Sequence, residues 1–177
     1  NRSNLDCFFP TKKQLDVCVL MHAPFVLTDS REGVREVSDN TYLFYKLALL
    51  AAKSLVCLRD IGLSKEHKPL LDEALSKIII TNEPDTKEPL TYFYSAFLQT
   101  LRDENLFPSR QDGVYLPASK AYICPQTELR KLLSKDQLTT LTDKAADFVF
   151  DNVVISPSDI PYYEKVGVGI LTQDTFG

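Results

Sequence analysis

The sequence predicts an α+β fold: an N-terminal β-hairpin or small sheet packed on a long helix, then a helical and mixed lobe. Three observations carry this. Two apolar runs, Leu5 to Pro10 and Val17 to Leu27, flank the polar Lys12-Lys13-Gln14 and read as paired strands joined by a turn. A long segment from about Asn40 to Ile61 then repeats apolar residues at helical spacing. After Asn105 the pattern breaks into short β-like pieces punctuated by proline and glycine.

The first helix can be capped by Ser38, Asp39 or Asn40, and Tyr42, Leu43, Leu47, Leu50, Ala51, Ser54, Leu55 and Leu58 follow its period. Phe44, Ala48 and Leu49 widen the stripe past half the circumference, which predicts a helix covered on two sides. Leu47, Leu50 and Leu55 are therefore expected in the core, with Gly62 as a left-handed stop. A second helix is expected from Pro69 to Ile79, and a loop from Asn82 to Pro89. A third carries Leu90, Phe93, Tyr94, Phe97, Leu98 and Leu101 on one stripe. Tyr92 and Tyr94 are candidates for a surface.

Further on, Asp112-Gly113 marks a turn before a short strand, Val114 to Leu116, and Ala121 to Cys124 reads as extended. Ser134-Lys135-Asp136-Gln137 has the form of a capping box and predicts a helix start. Phe148 to Phe150 and Val153 to Ile155 are β-like. The segment 156–177 has weak periodicity and is left unplaced, except that Tyr162-Tyr163 suggests an exposed docking patch. The expected division is 1–63, a β-plus-long-helix lobe, and 64–177, a helical and mixed lobe.

Composition narrows the function classes. A net charge of −4, from 20 basic and 24 acidic residues, argues against non-specific nucleic-acid binding. The longest apolar stretch, Leu43 to Leu58, is interrupted by Lys46 and Lys53, so no membrane partner is expected. Cys7, Cys18, Cys57 and Cys124 show no metal-type spacing. Cys7 and Cys18 could face each other across a hairpin, but free buried thiols and a cytoplasmic location are expected. The sole methionine, Met21, lies within a strand, which suggests a piece of a longer polypeptide.

Chemistry-bearing patterns are few. His22 reads as a hydrogen-bonded core residue and His67 as solvated. Asp72-Glu73 and Asp103-Glu104 are helix neighbours about 100° apart and cannot form a catalytic dyad. No phosphate-binding GxxxxGK loop, GxSxG elbow or HExxH pair occurs. No metal site and no catalysis by the chain alone are expected.

One segment stands apart. Thr28-Asp29-Ser30-Arg31-Glu32-Gly33 lies between a strand and the long helix, which suits Arg31 to meet a phosphate. Thr28, Asp29 and Ser30 favour turns that fix a loop, and Gly33 allows a left-handed kink or a close approach. The alternative is a surface arginine paired with Asp29, Glu32 or Glu36.

Phe-Phe-Pro-Thr at 8–11, His-Ala-Pro-Phe-Val-Leu-Thr-Asp-Ser-Arg-Glu-Gly at 22–33, and Leu106-Phe107-Pro108-Ser109 with Asp112-Gly113-Val114-Tyr115 also carry a family resemblance. They resemble the region after the Bergerat (GHKL) ATPase domain of bacterial sacsin-like proteins, over about Leu5 to Val154. The Ser30-Arg31-Glu32 step is similar to one in the middle domain of the ninety-kilodalton heat-shock chaperones. The resemblance implies a ribosomal-S5-domain-2-like fold and a middle or transducer role. In that role Arg31, supported by Thr28, Asp29, Ser30, Glu32 and Gly33, reaches the ATP γ-phosphate. ATP and Mg would be held by the preceding domain of the same chain. The alternative is a non-catalytic module that binds a client or partner protein.

Overall fold

A computed structural model describes residues 3–7, 9–15, 20–65, 70–75, 90–142, 145–149 and 155–172. Val17, Cys18, Val19, His67, the loop 82–89, Phe150, Val153 and Val154 lie outside them. The fold is α+β, with the described residues in two units. One unit comprises Asn1–Ser54 and Lys77–Thr100, the other Leu55–Ser76 and Leu101–Gly177. The boundaries fall inside two helices, α1 (Ser38–Ser64) and α3 (Leu90–Asp103), rather than after Leu63.

In the first unit, β1 (Ser3–Cys7) is the centre of a three-stranded sheet. It pairs antiparallel with β2 (Phe9–Leu15) and parallel with β3 (Met21–His22), setting Leu5 opposite Met21. The expected reversal at Lys12-Lys13-Gln14 is therefore corrected, because all three lie within β2. Thr11 is buried and Lys12 exposed, as alternate strand positions require. The Lys12 N–H also donates to the Glu32 carbonyl at 3.0 Å, so these polar residues are held extended by a distant segment.

The chain leaving β3 buries Ala23 and Phe25, and Phe25 stacks on Phe44 of α1 at 4.9 Å. Asn40, Phe44, Ala48, Ala51 and Ala52 form the buried face of α1 in this unit, continued by Leu55 in the other. Leu50 is 62% exposed, so its expected place in the core is also corrected. Spacing explains the error. The leucines are more numerous, but they spread around the helix, whereas Asn40, Phe44, Ala48, Ala51/Ala52 and Leu55 share one stripe, in which three small alanines let Phe44 and Leu55 pack inside. Gly62 is buried within α1 rather than ending it, since the helix continues to Ser64. By length and composition alone α1 is also apolar enough to cross a membrane, Lys46 and Lys53 notwithstanding, a test that the core helix of a globular domain also passes. On α3, Phe93, Tyr94, Phe97 and Leu98 are buried, which removes Tyr94 from the surface candidates.

The second unit contains α2 (Leu70–Leu75) and a hairpin of β4 (Phe107–Pro108) and β5 (Tyr115–Leu116). Gly113 takes φ 73° in its turn, at the expected Asp112-Gly113 step. A parallel sheet follows, with β6 (Ala121–Ile123) between β7 (Asp147–Phe148) and β8 (Gly169–Ile170). Helices α4 (Thr127–Leu132) and α5 (Lys135–Thr142) connect β6 to β7, and α6 (Ile160–Val166) leads to β8. The capping box at α5 forms reciprocally: Gln137 N–H donates to Ser134 Oγ at 3.2 Å, and Ser134 N–H to Gln137 Oε1 at 2.8 Å.

Gly169 is required by its neighbour, because a Cβ there would lie 2.2 Å from Tyr122 Cε1 on β6. Ile155 is described but lies in no strand. Tyr163 is fully buried and Tyr162 half-buried, so the expected docking patch on α6 is withdrawn: their rings pack edge-to-face, and Tyr163 meets Phe107.

Phe44→Ala should therefore cost about 3–5 kcal/mol of stability, whereas Leu50→Ala should stay within about 0.5 kcal/mol. Chemical denaturation of the two variants measures the contrast. Equal losses would show that the inner face of α1 has been misassigned.

Candidate functional site

The Arg31 segment is a short hairpin built on backbone bonds. Arg35 N–H donates to the Val26 carbonyl at 2.9 Å and Thr28 N–H to the Gly33 carbonyl at 2.9 Å, with Leu27 bridged antiparallel to Val34. At the tip, Arg31 N–H closes a turn onto the Thr28 carbonyl at 2.8 Å. The Thr28 hydroxyl accepts Gly33 N–H at 3.2 Å and lies 3.2 Å from Ser30 Oγ. Thr28 thus ties both sides of the tip with one side chain.

Arg31 itself adopts φ 59°, the left-handed conformation that glycine or asparagine adopts at lower cost. The expected kink at Gly33 therefore belongs to Arg31. A Cβ at Gly33 would make only an ordinary 3.5 Å contact with Thr28 Cγ2, so no close approach demands glycine there. A left-handed residue after the turn brings the chain back antiparallel, at a cost of about 1–2 kcal/mol for a side chain of ordinary bulk.

Electrostatics around the tip are resolved pairwise. Asp29 pairs with Arg35, and Glu32 pairs with Lys12 Nζ at 2.7 Å. The surface pairings of Arg31 that the sequence allowed with Asp29 or Glu32 are thus taken by other cations. Among the described residues the exposed Arg31 side chain has no hydrogen-bond or ion-pair partner. Exposed pairs such as these contribute little stability, but they leave one uncompensated guanidinium at the tip.

Sequence reasoning treated Asn40 as one of three possible helix caps. Its side chain does something else. It is fully buried, its Oδ1 accepts Val26 N–H at 2.9 Å, and its Nδ2 donates to the carbonyls of Val26 at 2.8 Å and Arg35 at 2.7 Å. Its position one turn ahead of Phe44, on the buried face of α1, was the signal available in the sequence. Thr28, Asp29, Ser30, Arg31, Glu32 and Gly33 do come together in one hairpin, and Lys12, Arg35 and Asn40 join them.

Of the other candidates, His22 is exposed rather than core, at the end of the edge strand β3. Cys57 is likewise exposed, while Cys7 and Cys124 are buried free thiols. Among the described residues no group of three or more His, Cys, Asp or Glu side chains is disposed to hold a metal ion.

Asp72, set aside in the sequence, is buried in the second unit and accepts a 2.8 Å hydrogen bond from the Tyr115 hydroxyl. Burial raises the Asp72 carboxyl above its ordinary range, the Tyr115 bond acting against it, and nearby Asp112 adds to the rise. Burial and the same bond push Tyr115 far above its ordinary value, so it stays a donor. The pair docks α2 on the hairpin of β4 and β5.

The chain matches no protein-family model, no curated protein and no solved structure. The likeness to sacsin-like proteins rests on the quoted motifs, and the hairpin geometry stands independently of it.

Because the folded chain holds the Asp72 proton to higher pH than the unfolded chain, this group favours folding most at low pH. That contribution is lost as pH rises from about 4 through the folded-state value. Asp72→Asn keeps an oxygen for Tyr115 and has no titration. Its stability relative to the wild type should rise across that window and then level off, as read by denaturation at stepped pH. A difference that is flat with pH would contradict the assignment.

Proposed function

We propose that the chain is the middle or transducer module of a chaperone-like Bergerat ATPase, and that Arg31 contacts the γ-phosphate of ATP held by the preceding domain. One observation carries the reading: an exposed arginine in a left-handed conformation, unpaired among the described residues, beside carboxylates already matched to other cations. A backbone conformation this unfavourable for arginine persists only where the surroundings impose it, and such positions cluster at functional sites. An arginine presented at such a tip offers a phosphate a planar, fully charged donor fork. The phosphoryl-transfer chemistry is supplied by ATP and Mg in the partner domain. The task of this chain is to hold the guanidinium at a fixed place and pass the nucleotide state onward. A cytoplasmic location goes with that role.

A second reading, a module that binds a client or partner protein, is favoured by the outer face of α1. There Tyr42 and Leu50 are 60% and 62% exposed, beside Lys46, whose Nζ lies 5.2 Å from the Tyr42 ring centre. Arg31 would then be structural.

Arg31→Ala in the full-length protein should lower ATP turnover about tenfold or more, as loss of an arginine finger does, with the melting temperature nearly unchanged. Steady-state hydrolysis assays and thermal melts distinguish the readings. Wild-type turnover in the variant would overturn the phosphate contact.

A further inference from the structure

Asn40 occupies the base of the hairpin, at the opposite end from Arg31. Val26 and Arg35 face each other there, and the carboxamide bonds to both legs while belonging to the third residue of α1. Both of its N–H groups go to carbonyls and its oxygen takes an N–H, so the reversed amide would place like against like. The Val26 carbonyl accepts twice, from Arg35 N–H and from Asn40 Nδ2. From this base, the Thr28–Gly33 bonds run to the tip, so Arg31 is held to α1 by an unbroken series of short hydrogen bonds. Burial matters here, because an amide shielded from water has no solvent partner to fall back on.

We infer that Asn40 is the positioning residue of Arg31: it fixes the arginine hairpin to the first turn of α1, so that helix and arginine move together. The inference rests on the phosphate-contact reading. It also supplies the relay that a transducer needs, since a force on the guanidinium reaches α1 through both legs of the hairpin. By reciprocity, the free energy that couples phosphate binding to the position of α1 acts equally in both directions.

The test is a double-mutant cycle on ATP turnover in the full-length protein. Asn40→Asp keeps the size and the acceptor oxygen but removes both donors to the Val26 and Arg35 carbonyls. It should bring kcat to within about threefold of the Arg31→Ala value, with KM for ATP changed less than about twofold. The double variant should fall no lower than Arg31→Ala alone, because a residue that acts through another adds nothing once that other is gone. If Asn40→Asp does not fold, Asn40→Ser loses the same two carbonyl contacts without a charge and serves in the same cycle.

A lowered rate in Arg31→Ala with wild-type kcat in the Asn40 variant would overturn the positioning role and leave the phosphate contact standing. Multiplying losses in the double variant would do the same. Wild-type turnover in Arg31→Ala would overturn both.

Discussion

The buried carboxamide of Asn40 has three polar partners, and each leg of the Arg31 hairpin supplies at least one. The base of the hairpin depends on that arrangement. A hydrogen bond of this kind adds about 0.5–1.5 kcal/mol net, but a buried partner left without one costs about 1–3 kcal/mol. Loss of the amide would take the partner from the Val26 N–H and the Arg35 carbonyl at once; these bonds are part-buried, so the cost falls below that of fully buried groups. Beyond Asn40, the hairpin is tied to β2 by the Lys12 N–H bond to the Glu32 carbonyl. Its tip is exposed, its ion pairs are solvated, and Arg31 carries an unfavourable backbone angle. The strain at the tip is sustained by satisfaction at the base. The same α1 turn continues into Phe44, whose ring holds the Phe25 segment from the other side.

The second unit solves a different problem with similar means. Among the described residues its parallel sheet has three short strands, and loop carbonyls near it find partners in side chains. Arg110 supplies several. Its guanidinium donates to the Leu133 carbonyl at 2.7 Å and to that of Arg130, and it lies over the Phe148 ring at 4.4 Å. Arg130 donates in turn to the Val149 carbonyl. A planar fork that stacks and donates together is a role lysine cannot fill. Arg110, which follows the Leu106-Phe107-Pro108-Ser109 run quoted for the resemblance but is not part of it, thus has a structural use: it closes the end of α4 and braces β7.

Features set by neighbours in sequence were legible. The Ser134–Gln137 capping box, the Asp112-Gly113 turn and the α3 stripe each follow from residues within a few positions of one another. Features set by distant partners were not. Lys12-Lys13-Gln14 looked like a turn because nothing local shows that Lys12 will bond to Glu32. Leu50 looked buried because leucine outranks alanine in hydrophobicity, whereas α1 turns its alanines inward. Asn40 was read as a cap because asparagine favours caps, and its three partners lie five to fourteen residues away. For the candidate site, the sequence singled out the loop and its arginine, while the hairpin pairing of Val26–Thr28 with Gly33–Arg35 came from the structure. The sequence assigned the left-handed residue to Gly33, since glycine is the usual occupant of that conformation.

The central claim, that Asn40 locks the Arg31 hairpin into one ordered unit, is tested most directly by amide hydrogen exchange. Five N–H groups are bonded in the hairpin: Val26 to Asn40, Thr28 to Gly33, Arg31 to Thr28, Gly33 to the Thr28 hydroxyl, and Arg35 to Val26. If the clasp holds, all five exchange at least about a hundredfold more slowly than in an unstructured peptide, and their rates rise together when Asn40 is replaced by Asp. Exchange at free-peptide rates in the wild type, or unchanged protection at the four amides not bonded to Asn40 once it is replaced, would contradict the claim.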